Sequence, residues 1–151
     1  IIAGVEVDNY TAYLNNLIKS RELNKQIFIL KNIDNDLWFE ILNKSNLGLC
    51  FYERNFLSHQ FMAGTSTKFN NYIFANLPMV VNDNADFIKF REKLDIFEIA
   101  NPEMPQDIAK KIKHLFNNKE RYEKIKNNLS KAFNSEFNFE KQFENSYKNI
   151  L

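Results

Sequence analysis

GTSTKFNNYIFANLPMVV, Gly64 to Val81, decides how this chain is read. A small polar cluster runs into an aromatic-rich segment, then an Asn-Leu-Pro turn, then an apolar run. Ser66 stands where an N-cap belongs, and the spacing behind it predicts a helix over about 67–75. Asn76 is suited to the left-handed conformation that closes a helix, a role usually taken by Gly. Pro78 blocks continuation, and a buried strand is expected over about 79–82. Gly64, Thr65, Ser66 and Thr67 would then lie at a helix N-terminus, where free N–H groups and the dipole favour a phosphate. Lys68 in the first turn opposes that dipole unless an anion is bound. The plainer alternative is that Ser66 only caps and Lys68 points into water.

Working outward, IIAG, QIFIL, LGLCFYE, MVV and DIFEI read as short buried strands. Helical patterns lie between them, including Tyr10, Tyr13, Leu14, Leu17 and Ile18 at helical spacing. Asp36 is the expected cap of the helix beginning near Leu37. Trp38, Phe39, Phe69 and Phe74 are read as core. After DIFEI the pattern is helical to the end. Strands alternating with helices predict an α/β, doubly wound parallel sheet with right-handed crossovers and a helical C-terminal tail. In such sheets ligands bind beyond the strands' C-terminal ends, where strand order reverses. The segment between LGLCFYE and Thr67 lies at such an end.

The 151 residues, 44% hydrophobic and 26% charged, suit one globular domain with a real core. With 20 basic and 19 acidic residues there is no global field to attract nucleic acid. One Cys excludes an internal disulfide and points to a reducing compartment, hence the cytoplasm. No apolar run approaches membrane-helix length, and no signal-peptide pattern opens the chain.

STKFNNYIFANLPMVV resembles the S-x-K-x-x-E-Y-x-A-x-G-x-P-V-[VI] signature in the C-terminal half of GT-B glycosyltransferases, most like the nucleotide-sugar-dependent group called family 4. IIAG, QIFILKNID and SNLGLCFYERN are similar to that family's strand and loop segments, in the same order. The resemblance implies a Rossmann-like donor-binding domain over 1–151, transferring sugar from a UDP- or GDP-linked nucleotide-sugar without a required metal or other cofactor. It implies a donor diphosphate against Gly64, Thr65, Ser66 and Thr67, with Lys68 as the motif lysine. The family's ribose-binding Glu corresponds to Asn71, and a Glu eight residues earlier to Ala63. An Asn amide still donates and accepts, with less strength than a carboxylate. Ile33, Tyr52 and Glu53 are candidate base or sugar contacts.

The same resemblance implies an N-terminal acceptor domain, and a further strand and helix, ahead of Ile1. The chain is then expected to be a fragment, inactive alone, of an enzyme in bacterial surface-glycan synthesis. A glycan or lipid-linked acceptor would bind through the absent domain, and the full enzyme would work in the cytoplasm, at the inner face of the membrane. A non-catalytic α/β binding module is the alternative fed by Ala63 and Asn71, with a sugar-nucleotide epimerase a weaker one. His59 is read as a loop residue near the crevice and His114 as part of a wet face. Two His and one Cys lack zinc spacing. The Lys-rich helices from Lys110 to Lys131 read as solvated faces. Phe139, Phe143 and Tyr147 form an apolar edge. Phe139 and Phe143 are expected to pack on the domain, with Tyr147 to Leu151 partly exposed or buried against another copy.

Overall fold

The structure is a computed structural model and describes residues 1–4, 9–53 and 56–148, without the side chain of Asn145. It is α/β, with two small parallel sheets, and it packs as two compact units, Ile1–Ile41 and Leu42–Leu151. The first unit holds β1 (Ile2–Gly4), α1 (Tyr10–Ser20) and β2 (Ile29–Lys31), and α2 (Asn35–Lys44) begins in it. β1 and β2 pair in parallel, Ala3 opposite Leu30. Leu23 N–H reaches Ile18 O and Glu22 N–H reaches Lys19 O, so Glu22, at φ 57°, closes α1 in the left-handed conformation.

Two expectations change in this unit. Asp34, not Asp36, caps α2: Leu37 N–H donates to its Oδ1 at 2.8 Å. The helix starts before its first apolar residue, so Asp36 falls inside the first turn, where its charge suits the dipole. The strands IIAG and QIFIL form, but Ile1, Ile2 and Phe28 are exposed. A two-stranded sheet has too few neighbouring layers within its unit to cover both faces. Trp38 and Phe39 are half-buried.

The second unit contains β3 (Gly48–Cys50), α3 (Thr67–Phe74), β4 (Met79–Asn82), α4 (Ala85–Lys93) and β5 (Glu98–Ala100). Three helices follow: α5 (Pro105–Asn117), α6 (Lys119–Ser135) and α7 (Phe139–Lys148). A short 3-10 turn, Leu57–Gln60, precedes α3. The sheet order is β3-β4-β5, all parallel, with Leu49 opposite Val80 and Val81 opposite Ile99. Sequential order, met by right-handed crossovers, places α3 and α4 on one face. Their rings touch accordingly: Phe69 lies 5.5 Å from Phe87 and 5.7 Å from Phe90. Strand order does not reverse within this sheet. α5 packs on β4 and β5, and α6 on α3 and α5.

The core is aromatic because α3 and α4 present phenylalanines to the apolar β4, which is buried at all four positions. Phe69, Phe87 and Phe97 are fully buried, while Phe74 is 55% exposed, against expectation. Phe74 is the last residue of α3, and its ring meets Phe133 edge-on at 5.6 Å. Gly48 lets α3 approach β3 closely, since a Cβ there would stand 2.6 Å from the Tyr72 ring. Tyr72 donates its hydroxyl to Leu49 O, and burial pushes its pKa up to about 12.

Glu98, only 3% exposed, needs a partner to be charged inside the unit. Arg121 supplies one: its Nε donates to Glu98 Oε1 at 2.7 Å while its two terminal nitrogens grip Asp95 at 2.6 and 2.7 Å. His114, expected on a wet face, is half-exposed and lies 4.0 Å from Glu98. The hydrogen bonds from Arg121 hold the Asp95 carboxyl down at about 2, from an ordinary 3.8. A depressed carboxylate contributes stability that is present above its unfolded pKa and lost as pH falls through its folded one. The thermal midpoint should therefore drop between pH 3.8 and about 2, and this part of the drop should vanish in Asp95→Asn. An unchanged acid limb in Asp95→Asn would contradict the assignment.

The C-terminal aromatics also depart from expectation. Phe139 and Phe143 do not pack on the core: they are 76% and 60% exposed, with Tyr147 at 53%. The three rings stack on one another along α7, at 6.3 and 6.1 Å. Residues 149–151 fall outside the described residues. No helix among the described residues is long and apolar enough to cross a membrane.

Candidate functional site

The stretch from Gly64 to Val81 folds by local rules at both ends. Gly64 turns the chain at φ +79°, a conformation glycine takes without strain. Ser66 is extended and its hydroxyl accepts from Phe69 N–H at 3.3 Å, which caps α3. At the other end Asn76 sits at φ 51°, with Leu77 N–H bonded to Tyr72 O and Asn76 N–H to Ile73 O. That paired pattern closes the helix as Gly usually does. Pro78 and the buried β4 follow directly.

This geometry sets the start of α3 beside the C-terminal end of β3. The Tyr52 hydroxyl meets both Ser66 Oγ and, at 3.1 Å, Cys50 Sγ. Burial pushes the pKa of Tyr52 up, so the phenol remains a neutral donor, and burial raises that of the Cys50 thiol as well. Asn82, 2% exposed, braces the same residue from β4: its Oδ1 accepts from Tyr52 N–H and its Nδ2 donates to Tyr52 O, both at 2.8 Å. The amide extends the sheet one step beyond the last paired residues.

Lys68 points neither into water nor away from the sheet. Its Nζ lies 3.4 Å from Phe51 O and 4.6 Å from the centre of the Tyr52 ring. The charge is thus anchored over the strand end, by a carbonyl and a cation–π contact. Among the described residues no acceptor meets the N–H of Thr67 or of Lys68. Thr65 gives its hydroxyl to Phe61 O, and Asn70 Nδ2 donates to Gly64 O at 3.2 Å. Ala63 N–H donates to Asp86 Oδ2 at 2.7 Å. Asn71 is half-buried, and its side chain has no partner among the described residues.

So Gly64, Thr65, Ser66, Thr67, Lys68 and Tyr52 come together, with Ser66 committed to Tyr52 as well as to the cap. Ile33 belongs to the first unit, after β2. Glu53 is exposed and lines a cleft of about 610 Å³ beyond the C-terminal ends of β3 and β4. Tyr52, His59, Gln60, Phe61 and Lys89 line it too.

Sequence reasoning missed Asn82, whose role depends on a strand 30 residues away. It also passed over Gln60, Phe61 and Lys89, which no motif marks. Among the described residues, no group of three or more His, Cys, Asp or Glu is placed to hold a metal ion. No protein-family model matches this sequence, and no curated protein matches it either.

Proposed function

We propose that this chain is the nucleotide-sugar-binding part of a glycosyltransferase of the GT-B type, its strands belonging to a doubly wound, Rossmann-like sheet. The observation that carries the reading is the start of α3. Two first-turn N–H groups without acceptors and the anchored ammonium of Lys68 converge beside a parallel strand's C-terminal end. That set suits a diphosphate: backbone donors, a positive dipole end and one point charge. The likeness of STKFNNYIFANLPMVV to the family signature supplies the substrate class, a UDP- or GDP-linked sugar, and the reaction, glycosyl transfer to a glycan or lipid-linked acceptor. Asn71 takes the ribose, with an amide in place of a carboxylate. Work at the cytoplasmic face of a membrane belongs to the same proposal.

Lys68→Ala should weaken UDP or GDP binding, measured by calorimetry, by about 1–3 kcal/mol, the worth of a charge-assisted contact. Equal affinity in the variant would remove Lys68 from the site. Asn71→Glu should keep the thermal midpoint and hold or raise nucleotide affinity. A large loss of midpoint would show Asn71 to be structural. Ala63 and Asn71 in place of two carboxylates favour the second reading, a non-catalytic binding or interaction module that has lost its donor site. It predicts no saturable response of residues 64–71 to UDP or GDP.

A further inference from the structure

The first unit has a cavity of its own, at the end of its sheet where β1 begins and α1 ends. Its volume is about 330 Å³, and its wall is apolar: Leu14, Leu17 and Ile18 of α1, Ile2 of β1 and Ile27 ahead of β2. The left-handed turn at Glu22 brings Leu23 back to Ile18, N–H to O at 2.9 Å, and adds its side chain to that wall. Among the described residues the one polar side chain in the lining is that of Arg21, whose guanidinium meets no acceptor there. The carbonyls at the helix end, which basic side chains often take, already accept. Leu17 O takes Ser20 Oγ at 2.9 Å and Arg21 N–H, Ile18 O takes Leu23 N–H, and Lys19 O takes Glu22 N–H. The surface here is basic, with Lys19, Arg21 and Lys25 exposed against Glu22.

We infer that this cavity binds a medium-chain carboxylate, its hydrocarbon along the apolar wall and its carboxylate on Arg21. A planar guanidinium holds both oxygens of a carboxylate, and burial of each methylene adds to the binding. From Leu14 to Arg21 the helix rises about 10 Å, the reach of roughly eight carbons. The lining sets aside other ligand classes. A cation would meet Arg21 and no carboxylate. A sugar or a nucleobase would leave most of its polar atoms unpaired against leucine and isoleucine. An inorganic phosphate would gain one guanidinium and nothing from the wall. Charge and apolar surface together select an amphipathic anion. The cavity lies in the first unit and shares no residue with the α3 site, so the inference goes beyond the proposed function.

The whole chain, labelled with 15N, is titrated with octanoate below its micelle concentration, and in parallel with octanol, octyltrimethylammonium and acetate. Octanoate is expected to shift the amides of residues 2, 14–23 and 27 in a saturable way, and acetate to leave them in place. Hexanoate, two methylenes shorter, should bind about tenfold more weakly. Arg21→Gln, at an exposed position, should weaken octanoate about tenfold and leave octanol unchanged. Lack of saturation up to roughly 10 mM octanoate, tenfold above a millimolar dissociation constant, overturns the inference. So does octanol or octyltrimethylammonium binding as tightly as octanoate, or Arg21→Gln with unchanged affinity. Shifts of the same amides with protein concentration alone would make this face a contact between copies, and overturn it too. Each outcome is independent of the nucleotide reading, which concerns residues 64–71.

Discussion

Phe69→Ala should destabilise the second unit by about 3–5 kcal/mol, the loss expected when a large ring leaves a filled core. The ring has no exposed surface and stands at the centre of an aromatic group, with Phe87, Phe90, Phe97 and Phe137 all within 6.4 Å. Most of these contacts are edge-on or tilted, the arrangement ring quadrupoles favour, and neighbours held that way refill a gap poorly. Urea unfolding followed by circular dichroism measures the loss. Phe143→Ala is the internal control. Its ring is 60% exposed on α7, so its change should stay within roughly 0.5 kcal/mol, as for ordinary surface positions. Comparable losses from the two replacements would mean that α7 folds onto the core in solution.

Arg121→Ala carries the second large effect, also about 3–5 kcal/mol, through a different mechanism. It removes the close partner of Glu98, whose side chain is 5% exposed, and leaves a buried carboxylate poorly compensated. Arg91 and His114 remain only at 3.8 and 4.0 Å, too far for good hydrogen bonds. Removing both charges should be gentler than removing one. Glu98→Leu combined with Arg121→Leu is therefore expected to recover most of the loss in the same unfolding assay. If the double replacement proves as damaging as Arg121→Ala, the cost lies in packing around the guanidinium, not in the stranded charge.

What the sequence made legible was local. Ser66, Asn76 and Pro78 each act through their own backbone or the next few residues, so α3 and the start of β4 were readable from one line of text. The parallel pairing also followed, because apolar strands alternate with helices. Burial was less legible, since it depends on what covers an element. IIAG is apolar yet exposed within a two-stranded sheet, and the α7 aromatics lie along a helix that leaves them bare. Choosing Asp36 over Asp34 failed because the helix begins two residues before its apolar stripe. The Arg121 group was invisible, its partners being 23 and 26 residues away in the chain. At the site, the sequence marked Lys68 but could not say that its charge rests over Tyr52. No motif at all marked Gln60 and Lys89, which line the cleft.

A nucleotide diphosphate at the start of α3 is the core of the proposed function. Mapping amide shifts of the 15N-labelled chain on addition of UDP, then GDP, tests it most directly. Saturable changes are expected, concentrated at residues 64–71. The largest are expected at Thr67 and Lys68, whose N–H groups have no acceptor among the described residues and would gain one. Shifts confined to another surface, or none at about 1 mM nucleotide, a concentration matching only about 4 kcal/mol of binding, would contradict it.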